Sequence, residues 1–225
     1  MPFDSMLTKM ERINPMTSEL RRTKIDRKSK ETVIQGELNI DGRGITKIKT
    51  PIGLINHMLE LFAFHGLFDL NLEVNDDTHV DIHHTNEDIG SVLGKAFKDA
   101  LRDKKGIRRF GSAFAPMEDT LGHSVVDISG RGHLKFTVKF ETQPQKSIKG
   151  GKGKFTLSRL EHFLDSFAKQ LGANIVITVK IPSSAHPDVH TVMETVFKSL
   201  GVALDQATQI DSRRKGFPST KGIID

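Results

Sequence analysis

The chain has 225 residues, a formal net charge of +5 and no Cys, Trp or Tyr. No apolar run approaches the ~20 residues needed to cross a bilayer, and the N-terminus lacks a signal peptide's apolar core, so we expect a soluble cytoplasmic protein. Without Cys, disulfides and thiolate ligands are excluded, and any metal must be held by His, Asp and Glu. A nucleic-acid partner is not expected, because the chain has no Trp or Tyr for stacking and no nucleic-acid motif.

Composition and periodicity divide the chain into four segments. Residues 1–27 are polar and mixed in charge, which is typical of a flexible or extended arm. Two folded halves are expected at 28–105 and 106–208, because this length fits two halves of about 90 residues. A basic, glycine-containing tail covers 209–225. The positive charge is interpreted either as a solvated surface or as a contact for a small anionic ligand.

The first half alternates strand patterns with helix patterns. A hairpin is predicted at 33–49, because two alternating runs flank the turn signal at 41–44. An apolar stripe after Pro51 predicts a helix that ends near Gly66. A second pair of strands is expected over 70–82, followed by a helix from about Asn86 to Leu101.

The second half repeats this order. Strands are predicted over 112–128 and 134–140, a helix over 158–170, a strand over 175–181 and a last helix over 191–207. Each half is therefore expected to be a sheet covered on one face by two helices, which is an α+β fold.

An internal duplication is the strongest pattern in the sequence. Four landmarks recur in the same order, which indicates a repeated unit. The matched pairs are 41–44 with 129–132, 56–63 with 161–168, His83 and Glu87 with His190 and Glu194, and 93–94 with 200–201.

A metal-binding pattern opens the second predicted helix, at His83-His84-Thr85-Asn86-Glu87. His83 and Glu87 are four residues apart and His84 and Glu87 three, so their side chains share one helix face and can converge on a divalent metal. The alternative is a polar helix start in which Asn or Asp caps the helix. Recurrence of the spacing at His190 and Glu194 favours the metal site.

At these residues the sequence resembles the imidazoleglycerol-phosphate dehydratase family of histidine biosynthesis. The matching stretches are 53–59, 65–70, 80–88, 106–111, 127–131, 194–198 and 219–222. The resemblance implies two fused, pseudo-symmetric halves similar to ribosomal protein S5 domain 2, each a four-stranded sheet with two helices. It also implies a homo-oligomer of 24 subunits with two manganese ions per subunit, located at subunit contacts.

The resemblance further implies a reaction, the dehydration of D-erythro-imidazole glycerol phosphate to imidazole acetol phosphate. The hydrogen that is removed lies on the carbon next to the ring and is poorly acidic. A metal on a ring nitrogen can stabilise an imidazolate-like species while the hydroxyl leaves. The expected partner is therefore a small phosphorylated imidazole.

The family's metal ligands are matched by six residues of this chain, namely His57, His83, His84, Glu87, His190 and Glu194. Two further family histidines fall on Thr178 and Thr191, and hydroxyls are poor replacements for imidazole. His186 and His162 are the residues that could compensate. Asn56 replaces a family Asp beside the ligand His57 and is expected to orient that ring without a charge. An alternative is a homologue with the same fold and assembly, an incomplete metal site and no dehydratase activity.

The resemblance also assigns the remaining site residues. Phosphate binding falls on Arg109, Arg131, Lys198, Ser219 and Lys221. Catalysis falls on Glu31, Glu87 and Glu194, with Glu31 as the acid/base that exchanges the proton at carbon or assists the leaving hydroxyl. Without the resemblance, Arg131 is interpreted as an exposed turn residue and Glu31 as a surface residue at a strand start.

Overall fold

The computed structural model describes residues 21–76, 82–141, 155–182 and 188–224. Its helices and strands alternate as the duplication requires. In chain order they are β1 (Arg22–Lys28), β2 (Thr32–Asn39), β3 (Thr46–Lys49), α1 (Gly53–His65), β4 (Asp69–Asp76), α2 (Ile82–Leu101), β5 (Phe110–Met117), β6 (Thr120–Asp127), β7 (His133–Phe140), α3 (Leu157–Leu171), β8 (Asn174–Ile181) and α4 (Val189–Thr208).

The two halves have the same topology. The first sheet has the order β1-β2-β4-β3 and the second has the order β5-β6-β8-β7. In each sheet the first two pairs of neighbours are antiparallel and the last pair is parallel. The predicted α+β fold and its internal duplication are therefore confirmed.

The predicted hairpin at 33–49 is wrong. Strand β4 lies between β2 and β3, and β3 pairs with β4 in parallel. The turn at 41–44 does reverse the chain, but the Asp69 carboxylate at the start of β4 accepts hydrogen bonds from the backbone N–H groups of Arg43 (2.8 Å) and Ile45 (3.1 Å). These bonds lead the chain past β4 to the far side of that strand.

Two element boundaries also differ from the prediction. The last residues of the predicted arm form β1, which is the edge strand of the first sheet and pairs with β2. Helix α2 begins at Ile82, four residues before the predicted start, so the residue expected to end a strand is helical. The rest of the strand expected before it falls on 77–81, outside the described residues.

The four helices lie between the two sheets. Helix α2 contacts β1 and β2 of the first sheet, while α4 contacts β5 and β6 of the second. Across the middle of the protein, α2 packs on α3 and α1 packs on α4. Phe62 and Phe167 meet edge to face at 6.1 Å between ring centroids, so the two halves share one core. No helix within the described ranges is long and apolar enough to span a membrane.

Two equivalent glycines allow these helix pairs to come close. A Cβ atom added to Gly94 of α2 would lie 2.3 Å from the carbonyl oxygen of Phe167 in α3. A Cβ atom added to Gly201 of α4 would lie 2.4 Å from the carbonyl oxygen of Phe62 in α1. Both contacts are with backbone atoms, which cannot move aside without separating the helices.

We expect Gly94→Ala and Gly201→Ala each to destabilise the protein by about 1–3 kcal/mol, because the added methyl group overpacks a helix contact. The measurement is the denaturant midpoint of unfolding. Gly53→Ala is the matched control, since Gly53 is also helical and no atom lies within 4 Å of its added Cβ. Equal midpoints for all three variants would contradict the close helix contacts at Gly94 and Gly201.

Candidate active site

The contact between α1 and α4 forms a cluster of potential metal ligands. Nε2 of His57 lies 3.3 Å from Oε1 of Glu194, and Nε2 of His190 lies 2.8 Å from the same oxygen. The two imidazole rings are stacked, with centroids 5.4 Å apart. One ligand atom from each residue lies within 4.8 Å of the other two. Two imidazole nitrogens and a carboxylate oxygen suit a divalent transition metal.

Local structure at the start of α4 fixes two of these ligands. Asp188 caps the helix by accepting hydrogen bonds from the backbone N–H (2.8 Å) and the hydroxyl (3.1 Å) of Thr191. His190 and Glu194 then lie one turn apart on the same face. Thr191, at a position where the resemblance implies a histidine, therefore serves the helix cap.

Glu194 is a buried carboxylate held in its charged form. Its residue is 7% exposed, and Nζ of Lys198 lies 2.5 Å from Oε2. Burial raises the pKa of Glu194, but hydrogen bonds from Lys198 and His57 lower the pKa by more than burial raises it. The net pKa therefore lies below its usual value. A charged carboxylate beside two imidazoles is ready to bind a cation.

A second His–Glu pair occupies the equivalent place between α2 and α3. Nδ1 of His162 lies 3.2 Å from Oε1 of Glu87. Under the duplication, His162 matches His57 and Glu87 matches Glu194. From the sequence, His162 was predicted only as a possible substitute ligand, although the repeat of 56–63 at 161–168 was the signal that identifies it.

Glu31 lies beside this second pair. Its Oε2 atom is 3.4 Å from Nδ1 of His84 in α2. A cleft of about 370 Å³ opens between the β1–β2 turn and the start of α2. It is lined by Arg27, Ser29, Lys30, Glu31, His84, Glu87 and Asp88. His83 is helical in α2, but its side chain falls outside the described residues.

Arg109 connects the second sheet to the C-terminal segment. Its Nε and Nη2 atoms donate to the two carboxylate oxygens of Asp127 at 2.6 and 3.1 Å, and Nη1 donates to the carbonyl oxygen of Pro218 at 2.9 Å. Pro218 directly precedes Ser219, whose hydroxyl accepts the backbone N–H of Lys221. Three of the predicted phosphate ligands therefore belong to one region.

The other two predicted phosphate ligands are held elsewhere. Arg131 is exposed in the β6–β7 turn, and Lys198 is bonded to Glu194. Within the described ranges, no hydrogen bond or ion pair joins either residue to Arg109 or to the C-terminal segment. The hydrogen bonds of a single chain thus divide the five predicted phosphate ligands into three groups.

Two positions that the resemblance marked as departures, Asn56 and Thr178, are described by the structure. Asn56 exchanges hydrogen bonds with the backbone of Thr50, so it anchors the start of α1 rather than the ring of His57, contrary to expectation. The alternation of β8 puts Thr178 on the face of the second sheet that is turned away from the helices. His186 falls outside the described residues.

Comparison with known proteins identifies the family of this chain. A family model for imidazoleglycerol-phosphate dehydratase matches residues 50–204. Proteins of that name from Geobacillus kaustophilus (strain HTA426) and Pelobacter propionicus (strain DSM 2379 / NBRC 103807 / OttBd1) are 46% and 45% identical over 204 residues. Each alignment covers 91% of this chain and 99% of the relative.

Solved structures show the same similarity. The crystal structure of imidazoleglycerol-phosphate dehydratase from Staphylococcus aureus aligns with a TM-score of 0.68 and 29% identity, over 84% of this chain and 99% of that one. The structure of IGPD from Pyrococcus furiosus in complex with (S)-C348 aligns with a TM-score of 0.68 and 32% identity, over 88% and 99%. This chain therefore belongs to the imidazoleglycerol-phosphate dehydratase family.

Proposed function

We propose that this protein is a hydro-lyase of histidine biosynthesis that converts D-erythro-imidazole glycerol phosphate to imidazole acetol phosphate. The carrying observation is the cluster of His57, His190 and Glu194, in a chain similar to dehydratases over 91% of its length. The reading as an inactive homologue is not favoured, because the second His–Glu pair is also retained.

We further propose that the two clusters are manganese sites. His57, His190 and Glu194 would hold one ion. Glu87 and His162, with His83 and His84 from the start of α2, would hold the other. When bound, manganese supplies a Lewis acid for the imidazole ring of the substrate. In this proposal His162 supplies the imidazole that the resemblance placed at position 178, where this chain has Thr178.

The protein's own acids and bases then carry the proton transfers and anchor the substrate. Glu31, beside His84, would exchange the proton at carbon or assist the leaving hydroxyl. Arg109 has five N–H donors, of which Asp127 and Pro218 occupy three, so two remain for phosphate. Lys198 gives one of its three N–H donors to Glu194 and a second to the sulfur of Met117 (3.7 Å), so one remains for an anion.

We also propose a cytoplasmic homo-oligomer, which the family resemblance sets at 24 subunits. The separation of the predicted phosphate residues supports the assembly. In such an assembly, Arg131 or Lys198 of one subunit can face the C-terminal segment of a neighbour. A complete phosphate site would then require subunit contacts.

The metal assignment is tested by elemental analysis of purified protein loaded with manganese. We expect two ions per chain in the wild type and about one in His57→Asn and in His162→Asn, because each variant removes a ligand from a different cluster. Turnover of imidazole glycerol phosphate is followed in parallel and should fall with the metal. His133→Asn, an exposed histidine on β7, is the control and should keep both ions. A content of two manganese ions per chain in His162→Asn would exclude His162 as a ligand of the second site.

The role of Glu31 is tested with Glu31→Gln, which keeps the shape of the side chain but cannot exchange a proton. We expect kcat to fall by about 10²–10⁴-fold, the usual contribution of a general acid or base, with unchanged manganese content. Glu37→Gln alters an exposed carboxylate on β2 and should behave as the wild type. Wild-type turnover in Glu31→Gln would exclude the acid/base assignment.

The fixed orientation of Arg109 is tested with Asp127→Asn. The variant loses the paired charged hydrogen bonds that hold the guanidinium, so we expect KM for the phosphorylated substrate to rise about tenfold or more. Proteolysis at the C-terminal segment should also become faster, because Arg109 anchors Pro218. Asp103→Asn, which changes an exposed carboxylate paired with Lys105, is the control. An unchanged KM would show that Asp127 does not orient the phosphate site.

A further inference from the structure

The turn between β1 and β2 carries Glu31 and is attached to α2 through one carboxylate. Nη2 of Arg27 donates to Oδ1 of Asp88 at 2.6 Å. The hydroxyl of Thr32 donates to Oδ2 of Asp88 at 2.7 Å. Both oxygens of Asp88 are therefore bonded to residues that flank the turn, one on each side.

Ser29 organises the interior of the turn. Its hydroxyl oxygen accepts the backbone N–H groups of Glu31 (3.1 Å) and Thr32 (2.9 Å), and it lies 3.1 Å from the Thr32 hydroxyl. A chain of hydrogen bonds thus runs from the backbone of Glu31 through Ser29 and Thr32 to Asp88. Such a chain restricts the position of the Glu31 backbone relative to α2.

Thr32 and Glu31 differ in their exposure to solvent. Thr32 is 1% exposed, whereas the side chain of Glu31 is 49% exposed on the cleft. The Thr32 hydroxyl is thus shielded from water on its side of the hydrogen bond, and breaking the bond to Asp88 would leave a buried donor without a partner, which is costly. The Glu31 carboxylate itself remains accessible to a substrate.

The same helix supplies both the anchor and the facing histidine. His84 and Asp88 are four residues apart in α2 and share one face of the helix. Asp88 fixes the turn, and His84 lies 3.4 Å from the carboxylate that the turn presents. The distance between Glu31 and the second cluster is therefore set by Thr32 and Asp88.

We propose that Thr32 and Asp88 are positioning residues that hold Glu31 at its working distance from the second His–Glu cluster. The inference rests on the proposed function, because it needs Glu31 to act on the substrate. Thr32 acts through Glu31 and contributes to catalysis by orientation. A displacement of about 1 Å in a reacting group can cost about 10²-fold in rate.

The test uses Thr32, because Asp88 is adjacent to the proposed ligand Glu87. Thr32→Val keeps the branched shape and removes the hydroxyl, whereas Thr32→Ser keeps the hydroxyl. We expect kcat to fall about 10- to 100-fold in Thr32→Val and to stay within about twofold of the wild type in Thr32→Ser. KM and manganese content should be unchanged in both variants, since neither phosphate nor metal ligands are altered.

A double-mutant cycle separates positioning from general damage. If Thr32 acts through Glu31, adding Thr32→Val to Glu31→Gln will not lower kcat further. A further fall by the same factor as in the single variant would overturn the inference, as would equal kcat values for Thr32→Val and Thr32→Ser in an active wild-type background. A wild type that does not turn over imidazole glycerol phosphate would overturn the proposed function and the inference together.

Discussion

The close approach of helices from opposite halves is the constraint on which the rest of the structure depends. Helix α1 packs on α4 and α2 packs on α3, and in each pair a glycine lies against a carbonyl oxygen of the partner helix. A larger separation would move His57 away from Glu194 and His162 away from Glu87, which lie 3.3 and 3.2 Å apart. Backbone packing in the core therefore sets the geometry of ligand atoms at its edge.

Electrostatics completes what packing begins. Glu194 is buried, and its charge is retained because Lys198 and two imidazoles surround it. Arg109 has a backbone φ of +75°, a value that non-glycine residues seldom adopt, and its guanidinium is held at three points. Both cases show charged groups fixed before any ligand binds, which reduces the cost of ordering them later.

The internal repeat and the periodicity of the sequence predicted the fold, whereas contacts between residues far apart in the chain were not predicted. Periodicity placed α1 and α4 correctly, because their apolar stripes face a core. The hairpin at 33–49 was wrong because a turn signal predicts a reversal of the chain and carries no information on which strand becomes the neighbour. Two members of the Glu194 cluster, His190 and Glu194, were predictable from the His-x-x-x-Glu spacing and its repetition, whereas His57 was assigned only through the family resemblance.

Other parts of the site gave no local signal. His162 reads as one polar residue on an amphipathic helix unless the two halves are compared. The Thr32–Asp88 hydrogen bond joins residues 56 positions apart, and Asn56 was assigned to His57 although its partner is the backbone of Thr50. Each of these contacts is decided by tertiary packing, which neighbouring residue types do not encode.

The pairing of helices from different halves also limits how such a site can have originated. Each cluster takes one helix from the first half and one from the second, so an ancestral polypeptide of half this length could complete a cluster only by associating with a second copy of itself. Gene fusion would then have made that association permanent and allowed the two clusters to diverge. The two repeats do differ at one such position, since Thr191 is the equivalent of His84.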